Sequence, residues 1–149
     1  MAKAYWLFKS EPNTWSWEDH CNRGKAGEHW DGVRNFLANK NMKQMKIGDM
    51  GFFYHSVNEK RIMGTVEVIK EHYPDHTDPK GRFGMVDIVA VETAATHITL
   101  QEIKDDPRLE EMVLVNNSRL SVQPVTAQEW KIVCNLCGLD PSGKTRTAF

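Results

Sequence analysis

The chain has 149 residues, with 19 Lys and Arg against 20 Asp and Glu and a net charge of −1. That length suits one domain that buries roughly two thirds of its unfolded surface without disulfides or metals. The charge balance excludes a polybasic protein that grips phosphates along its whole surface, and 40% hydrophobic with 26% charged residues excludes a disordered chain.

In chain order, Tyr5 to Lys9 predicts a first strand that ends at the Ser10-Glu11-Pro12 turn. Ser16 is placed to cap a helix with Asp19 at its third position, and Gly24 and Gly27 close that element. Glu28 to Asp31 predicts a short strand or bridge. Phe36 to Met45 has helical spacing, with Leu37, Ala38, Met42 and Met45 on one face and Lys40, Lys43 and Lys46 on another. Met50 to His55 predicts a buried strand, and Ile62 to Ile69 a further strand by alternation. His72 to Gly84, with two prolines and two glycines, predicts a loop, and Met85 to Val91 a strand buried on both faces. The capping boxes Thr99–Glu102 and Thr126–Glu129 start a short helix to about Asp105 and a last helix ending near Gly138. Leu120 to Val125 predicts the strand between them.

Mostly consecutive strands with short flanking helices predict an α+β domain whose mixed sheet curls into a pseudobarrel. A doubly wound fold would need regular βαβ alternation, and the chain lacks it.

Several motifs carry no chemistry on inspection. Gly138 to Thr145 reads GLDPSGKT, a letter-for-letter match to the phosphate-loop pattern. The mechanism needs a strand before the loop and a helix after it, and here a helix precedes and four residues follow. Cys134 and Cys137 form a C-x-x-C pair in a helix's last turns, with only Cys21 besides, so neither a zinc framework nor a thioredoxin-like site is predicted. Three cysteines and no apolar signal segment predict a reducing compartment, the cytoplasm or, in a eukaryote, the nucleus. There is no 18-residue apolar run, so no membrane helix is expected. The six histidines show no metal-ligand spacing, so no metal or cofactor is expected. The paired acids Asp105-Asp106 and Glu110-Glu111 read as solvated.

Four clusters at element ends stand apart. His29-Trp30-Asp31-Gly32-Val33-Arg34-Asn35 packs a Trp, an acid, an Arg and an Asn into a strand-to-helix junction. The other three are Lys9-Ser10-Glu11, Tyr54-His55-Ser56 and Asn117-Ser118-Arg119-Leu120-Ser121. Junctions aim side chains and free N–H groups into clefts. A pocket formed from these groups could stack a planar ring on Trp30 and read its edge through polar groups. The competing reading of Trp30 is a core residue beside a capped helix.

These residues carry a resemblance. YWLFKSEP at 5–12, WDGVRN at 30–35, MKIGDMGFFYHS at 45–56 and SRLSVQPVTAQEW at 118–130 resemble the EVE domain, the family that includes the thymocyte nuclear protein group. The similarity runs from about Ala4 to Cys134, which makes 1–137 one domain and 138–149 a polar, flexible tail. It implies a PUA-like fold related to the YTH and ASCH domains and a non-enzymatic reader of a modified base, such as a modified cytosine, in DNA or RNA. By the same resemblance Trp30 matches the aromatic cage, Ser10 and Glu11 match the polar residues after the first strand, with Lys9 beside them at its end, and Asp31, Gly32, Val33, Arg34 and Asn35 form the rim. Tyr54, His55 and Ser56 match the third block. Phe36 stands where many relatives have Tyr.

The expected roles follow from this. Trp30 is the stacking wall, with Ser10, Glu11 and Asn35 on the base edge and Tyr54 and His55 on the opposite wall. Arg34 and Arg119 serve phosphate or wall support, and Arg34, Lys40, Lys43 and Lys46 form a basic stripe along the backbone of a nucleic acid. A monomer is expected. Two other readings remain open: an enzyme using His55 with Glu11 or Asp31 on a nucleoside-like ring, and a protein-interaction module using Trp15 and Trp17.

Overall fold

The structure is a computed structural model that describes residues 3–147. It contains one mixed sheet of six strands in the order β2-β5-β4-β3-β1-β6. These are β1 (Tyr5–Ser10), β2 (Glu28–His29), β3 (Met50–His55), β4 (Arg61–Pro74), β5 (Gly84–Thr93) and β6 (Val122–Val125). The β1–β3 pair is parallel and the other pairs are antiparallel. A parallel pair needs a crossover, which passes through α1 (Trp17–Cys21), β2 and α2 (Phe36–Gln44). The sheet is not closed, and short helices flank it: the mixed α+β, PUA-like architecture expected from the sequence.

Strand alternation divides the aromatic residues between two cores. Leu7, Met50, Phe52 and Tyr54 meet α5 (Ala127–Cys137), whose Trp130, Val133, Cys134 and Cys137 are fully buried. The helices α3 (Leu100–Asp105) and α4 (Val113–Asn116) complete that side. On the other face Trp6, Phe8 and Phe53 pack with Trp17 of α1, with Ala38 and Met42 of α2, and with Trp30. Capping boxes at Ser16–Asp19, Thr99–Glu102 and Thr126–Glu129 start α1, α3 and α5, each closed in both directions. Burial pushes the Cys137 thiol up to about 11 and raises that of Cys134 further, so neither offers a thiolate.

Three elements depart from the sequence reading. First, β4 runs on to Pro74, so His72–Pro74 is strand and only about 75–83 is loop. Register shifts at Val68/Lys70 and Lys70/Tyr73 bend this half of the strand into a partly exposed extension, where charges and a proline mask the alternation. Second, Leu37 is 49% exposed. The inward face of α2 is instead completed by Asn39 and Asn41, which satisfy Gly84 N–H and the Val122 carbonyl. Third, Asp106 is no free surface acid. It accepts from the Arg108 N–H and guanidinium at the start of a short 3-10 turn.

The segment after α5 is packed down. Trp130 Nε1 donates to the Pro141 carbonyl at 2.9 Å, Asp140 accepts from Ser142 and Thr145, and Thr147 N–H bonds Val91 in β5. GLDPSGKT is therefore a turn organised by Asp140, and no helix follows it among the described residues. No helix there is long and apolar enough to cross a membrane.

Gly64 admits Trp17 to the sheet: a Cβ there would lie 2.4 Å from the Trp17 ring and from the Glu92 carbonyl. Gly64→Ala is therefore expected to cost about 1–3 kcal/mol by overpacking, read from denaturant melts. We also propose that 138–147 belongs to the folded unit. A chain ending at Cys137 should then melt at a lower temperature, and an unchanged midpoint would mean the segment contributes nothing.

Candidate functional site

At the end of β1 the chain opens into a cleft of about 650 Å³, within the roughly 300–1,000 Å³ typical of small-ligand sites. Its lining includes Lys9, Ser10 and Glu11 from the end of β1, and Trp30, Asp31, Gly32, Val33, Arg34 and Asn35 from the segment before α2. Thr14, Trp15, Glu28, His29 and Ser121 complete it. Two of the four sequence clusters thus converge here in full, and the 117–121 cluster contributes Ser121.

Trp30 sits at the base of the cleft. It is 8% exposed, and Phe8 and Phe53 meet its ring edge to face at 5.4 and 5.5 Å. Trp15, half-buried, is the second aromatic wall. Its position is held from behind: Ser10 Oγ donates to the Trp15 carbonyl, and Trp15 Nε1 donates to His20 Nδ1 at 3.0 Å. Nδ1 accepts, so Nε2 carries the proton of the neutral ring and donates to the Ile88 carbonyl at 2.9 Å. Burial lowers the pKa of His20, which favours this neutral form. Neither Trp15 as a wall nor His20 as its brace was legible in the sequence, because both lie on a five-residue helix and its approach.

The rim is fixed by Asp75, which is 3% exposed. Its Oδ2 accepts from Gly32 N–H at 2.8 Å and Arg34 Nη1 at 3.2 Å, and its Oδ1 from the Thr77 N–H and hydroxyl. Gly32 has φ +78°, a backbone that favours glycine and turns its N–H inward. Burial alone would raise the Asp75 carboxyl, but the bonds from Thr77, Gly32 and Arg34 outweigh it and hold the group at about 2. Arg34 Nη2 also donates to Thr77, so this side chain supports the wall while remaining 41% exposed. Asn35 spends its carbonyl oxygen on the Ala38 N–H as the cap of α2. Lys9 Nζ donates to the Ser118 carbonyl, and burial lowers its pKa.

The third cluster lies elsewhere. Phe53 faces the Trp30 side of the sheet, so the period of two sends Tyr54 into the opposite core. His55 is 4% exposed, and both of its nitrogens are engaged. Nε2 accepts from Trp17 N–H at 2.9 Å, and Nδ1 meets Glu59 at 2.8 Å. Tyr54 and His55 therefore do not form the opposite wall: neither is in the cleft lining, where Trp15 is the aromatic residue besides Trp30. Ser56 and Arg119 also lie outside the cleft lining. Lys40, Lys43 and Lys46 are exposed on α2 and the turn after it.

The EVE domain model matches residues 4–136. The chain belongs to the EVE domain family. The protein Rpa0253 from Rhodopseudomonas palustris is 52% identical, with a TM-score of 0.86 over 91% of this chain and 93% of that one. Human thymocyte nuclear protein 1 is 35% identical over 93% of this chain and 76% of its own length. The human THYN1 protein in complex with 5-methylcytosine-containing DNA matches with a TM-score of 0.85 at 34% identity, covering 93% of this chain and 100% of that one. The YTH domain of a Zygosaccharomyces rouxii protein, 20% identical, shares the fold with a TM-score of 0.54.

Asp75→Asn should weaken the EVE domain by about 1–3 kcal/mol at neutral pH, the range for disrupting a buried hydrogen-bonded group. A depressed carboxyl contributes its stability in full above its unfolded value and loses it as pH falls through the folded one. The difference between wild type and variant in denaturant melts should therefore shrink between about pH 4 and pH 2.

Proposed function

We propose that this EVE domain binds nucleic acid and reads a modified base, 5-methylcytosine in DNA being the first ligand to test, without catalysing a reaction on it. The observation that carries the reading is that Trp15 and Trp30 line one cleft whose remaining lining, apart from Gly32 and Val33, is polar. Stacking on an aromatic contributes on the order of 1–3 kcal/mol and accepts any base. Selection then falls to groups on the base edge, because a buried polar group left unpaired costs about 1–3 kcal/mol. Ser121, Glu11, the free amide nitrogen of Asn35 and backbone groups of 31–35 are the edge readers in this proposal. A methyl group adds about 0.8 kcal/mol of apolar burial, enough for preference when the edge contacts already fit.

A base in duplex DNA must be flipped out to reach such a cleft, at a cost of a few kcal/mol. The exposed Arg34, Lys40, Lys43 and Lys46 are proposed to offset that cost on the phosphate backbone. The relative found in complex with 5-methylcytosine-containing DNA supports the choice of ligand, and its kinship to nuclear proteins suits a nuclear or cytoplasmic site of action.

The test is a fluorescence titration of matched oligonucleotides with and without 5-methylcytosine. Wild type should prefer the methylated strand, and Trp15→Ala should lose roughly 5–150-fold in affinity, the equivalent of one stacked base. Trp15 is chosen because Trp30 is a core residue whose truncation threatens the fold. Equal binding of both strands by both proteins would overturn the reading.

A further inference from the structure

We propose that His29, Asp31 and His76 form a site for one borderline divalent transition-metal ion, of the Zn²⁺, Ni²⁺ or Co²⁺ type, at the mouth of the cleft. Their ligand atoms all lie within 4.8 Å of one another. Nε2 of His29 and Nε2 of His76 approach the same oxygen, Asp31 Oδ2, at 3.6 and 4.0 Å. The two imidazoles meet edge to face with centroids 4.8 Å apart. Zinc bonds of about 2.0–2.2 Å set ligand atoms roughly 3.3–3.5 Å apart on a tetrahedron. Drawing the three groups onto an ion therefore needs small side-chain rotations, and His76, with 58% of its side chain exposed, is free to make them. Two imidazoles with one carboxylate select these ions over Mg²⁺, which takes oxygen ligands.

Two features show that the cluster is built rather than a chance meeting of surface groups. Glu28 Oε1 accepts from the His29 backbone N–H at 3.1 Å and lies 3.1 Å from the ring Nδ1. A carboxylate this close to one ring nitrogen favours the tautomer protonated there, which leaves Nε2 for the metal. The loop bearing His76 is tied to the segment bearing Asp31 by the buried Asp75, which holds Gly32 and Arg34. The two ligands flank that clamp, one on each strand of chain. The local field suits a cation as well. Tyr73, which donates to Asp87 at 2.5 Å, has its hydroxyl pushed up first by burial, then by Asp87, Glu28 and Asp31. The sequence showed none of this, since His29 and His76 are 47 positions apart and meet only through the bend of β4.

The proposal stands apart from base recognition and has its own readout. Tag-free full-length protein, stripped with a chelator, is titrated calorimetrically with Zn²⁺ at neutral pH, and Co²⁺ is used as a spectroscopic probe. One equivalent should bind. His76→Ala and Asp31→Asn should each lose at least about tenfold in affinity, and Glu28→Gln about 10–100-fold, the range for a partner behind a ligand. His97→Ala, outside the cluster, should change nothing. Bound Co²⁺ should show visible absorption bands that His76→Ala removes. No Zn²⁺ binding, or binding that His76→Ala leaves intact, would overturn the proposal. The metal-free oligonucleotide titration would be untouched by either result.

Discussion

A single buried carboxylate sets the shape of the cleft mouth. Asp75 lies in the loop between β4 and β5, yet two of the four donors to its carboxylate come from a distant stretch of chain: the Gly32 amide and the Arg34 guanidinium, with the Thr77 N–H and hydroxyl supplying the local pair. An unpaired carboxylate in that position would carry a desolvation penalty of several kcal/mol. The segment 31–35 therefore has one acceptable path, and the rim of the cleft is that path. Asp31 projects from one side of the clamp and His76 from the other as a direct result.

Behind the rim, the cleft depends on an aromatic layer with one polar residue inside it. His20 is wholly buried, yet it lies near Trp15, Trp30 and Phe53, with ring centroids 5.5 to 6.1 Å away. Its two nitrogens bridge the Trp15 indole to the backbone of β5. Apolar packing alone is non-directional and would leave the Trp15 ring free to tilt. The imidazole supplies a direction. Trp15 and Trp30, which differ in burial and lie in separate connecting segments, are thereby held against a common brace.

How much of this was legible in the sequence depends on the range of the interaction. Local chemistry reads well. The boxes at Ser16, Thr99 and Thr126 start their helices as predicted, because a cap and its partner lie three residues apart. The Trp30–Asn35 segment also reads as a cleft wall, because its density of polar groups at a junction is itself a local signal. Features set by tertiary pairing do not read. The extension of β4 to Pro74 exists because β5 pairs with it, and nothing in Glu71 to Pro74 announces that. Tyr54 and His55 looked like site residues because an aromatic and an imidazole ended a strand. Only the parity of β3 relative to Phe53 assigns Tyr54 to the far core, and only α1 shows that Trp17 claims the His55 ring.

The sheet's two boundaries have a consequence for how copies of the chain meet. One edge is β2, two residues long, and the other is β6, four residues with Pro124 inside. Unpaired strand edges are templates for pairing with a neighbour, and a proline removes a donor from such a template. The Val122 carbonyl is already taken by Asn41 of α2. Neither end strand thus offers a neighbouring chain a long ladder to extend, and β3 with residues 64–67 of β4 has a partner strand on both sides within the sheet.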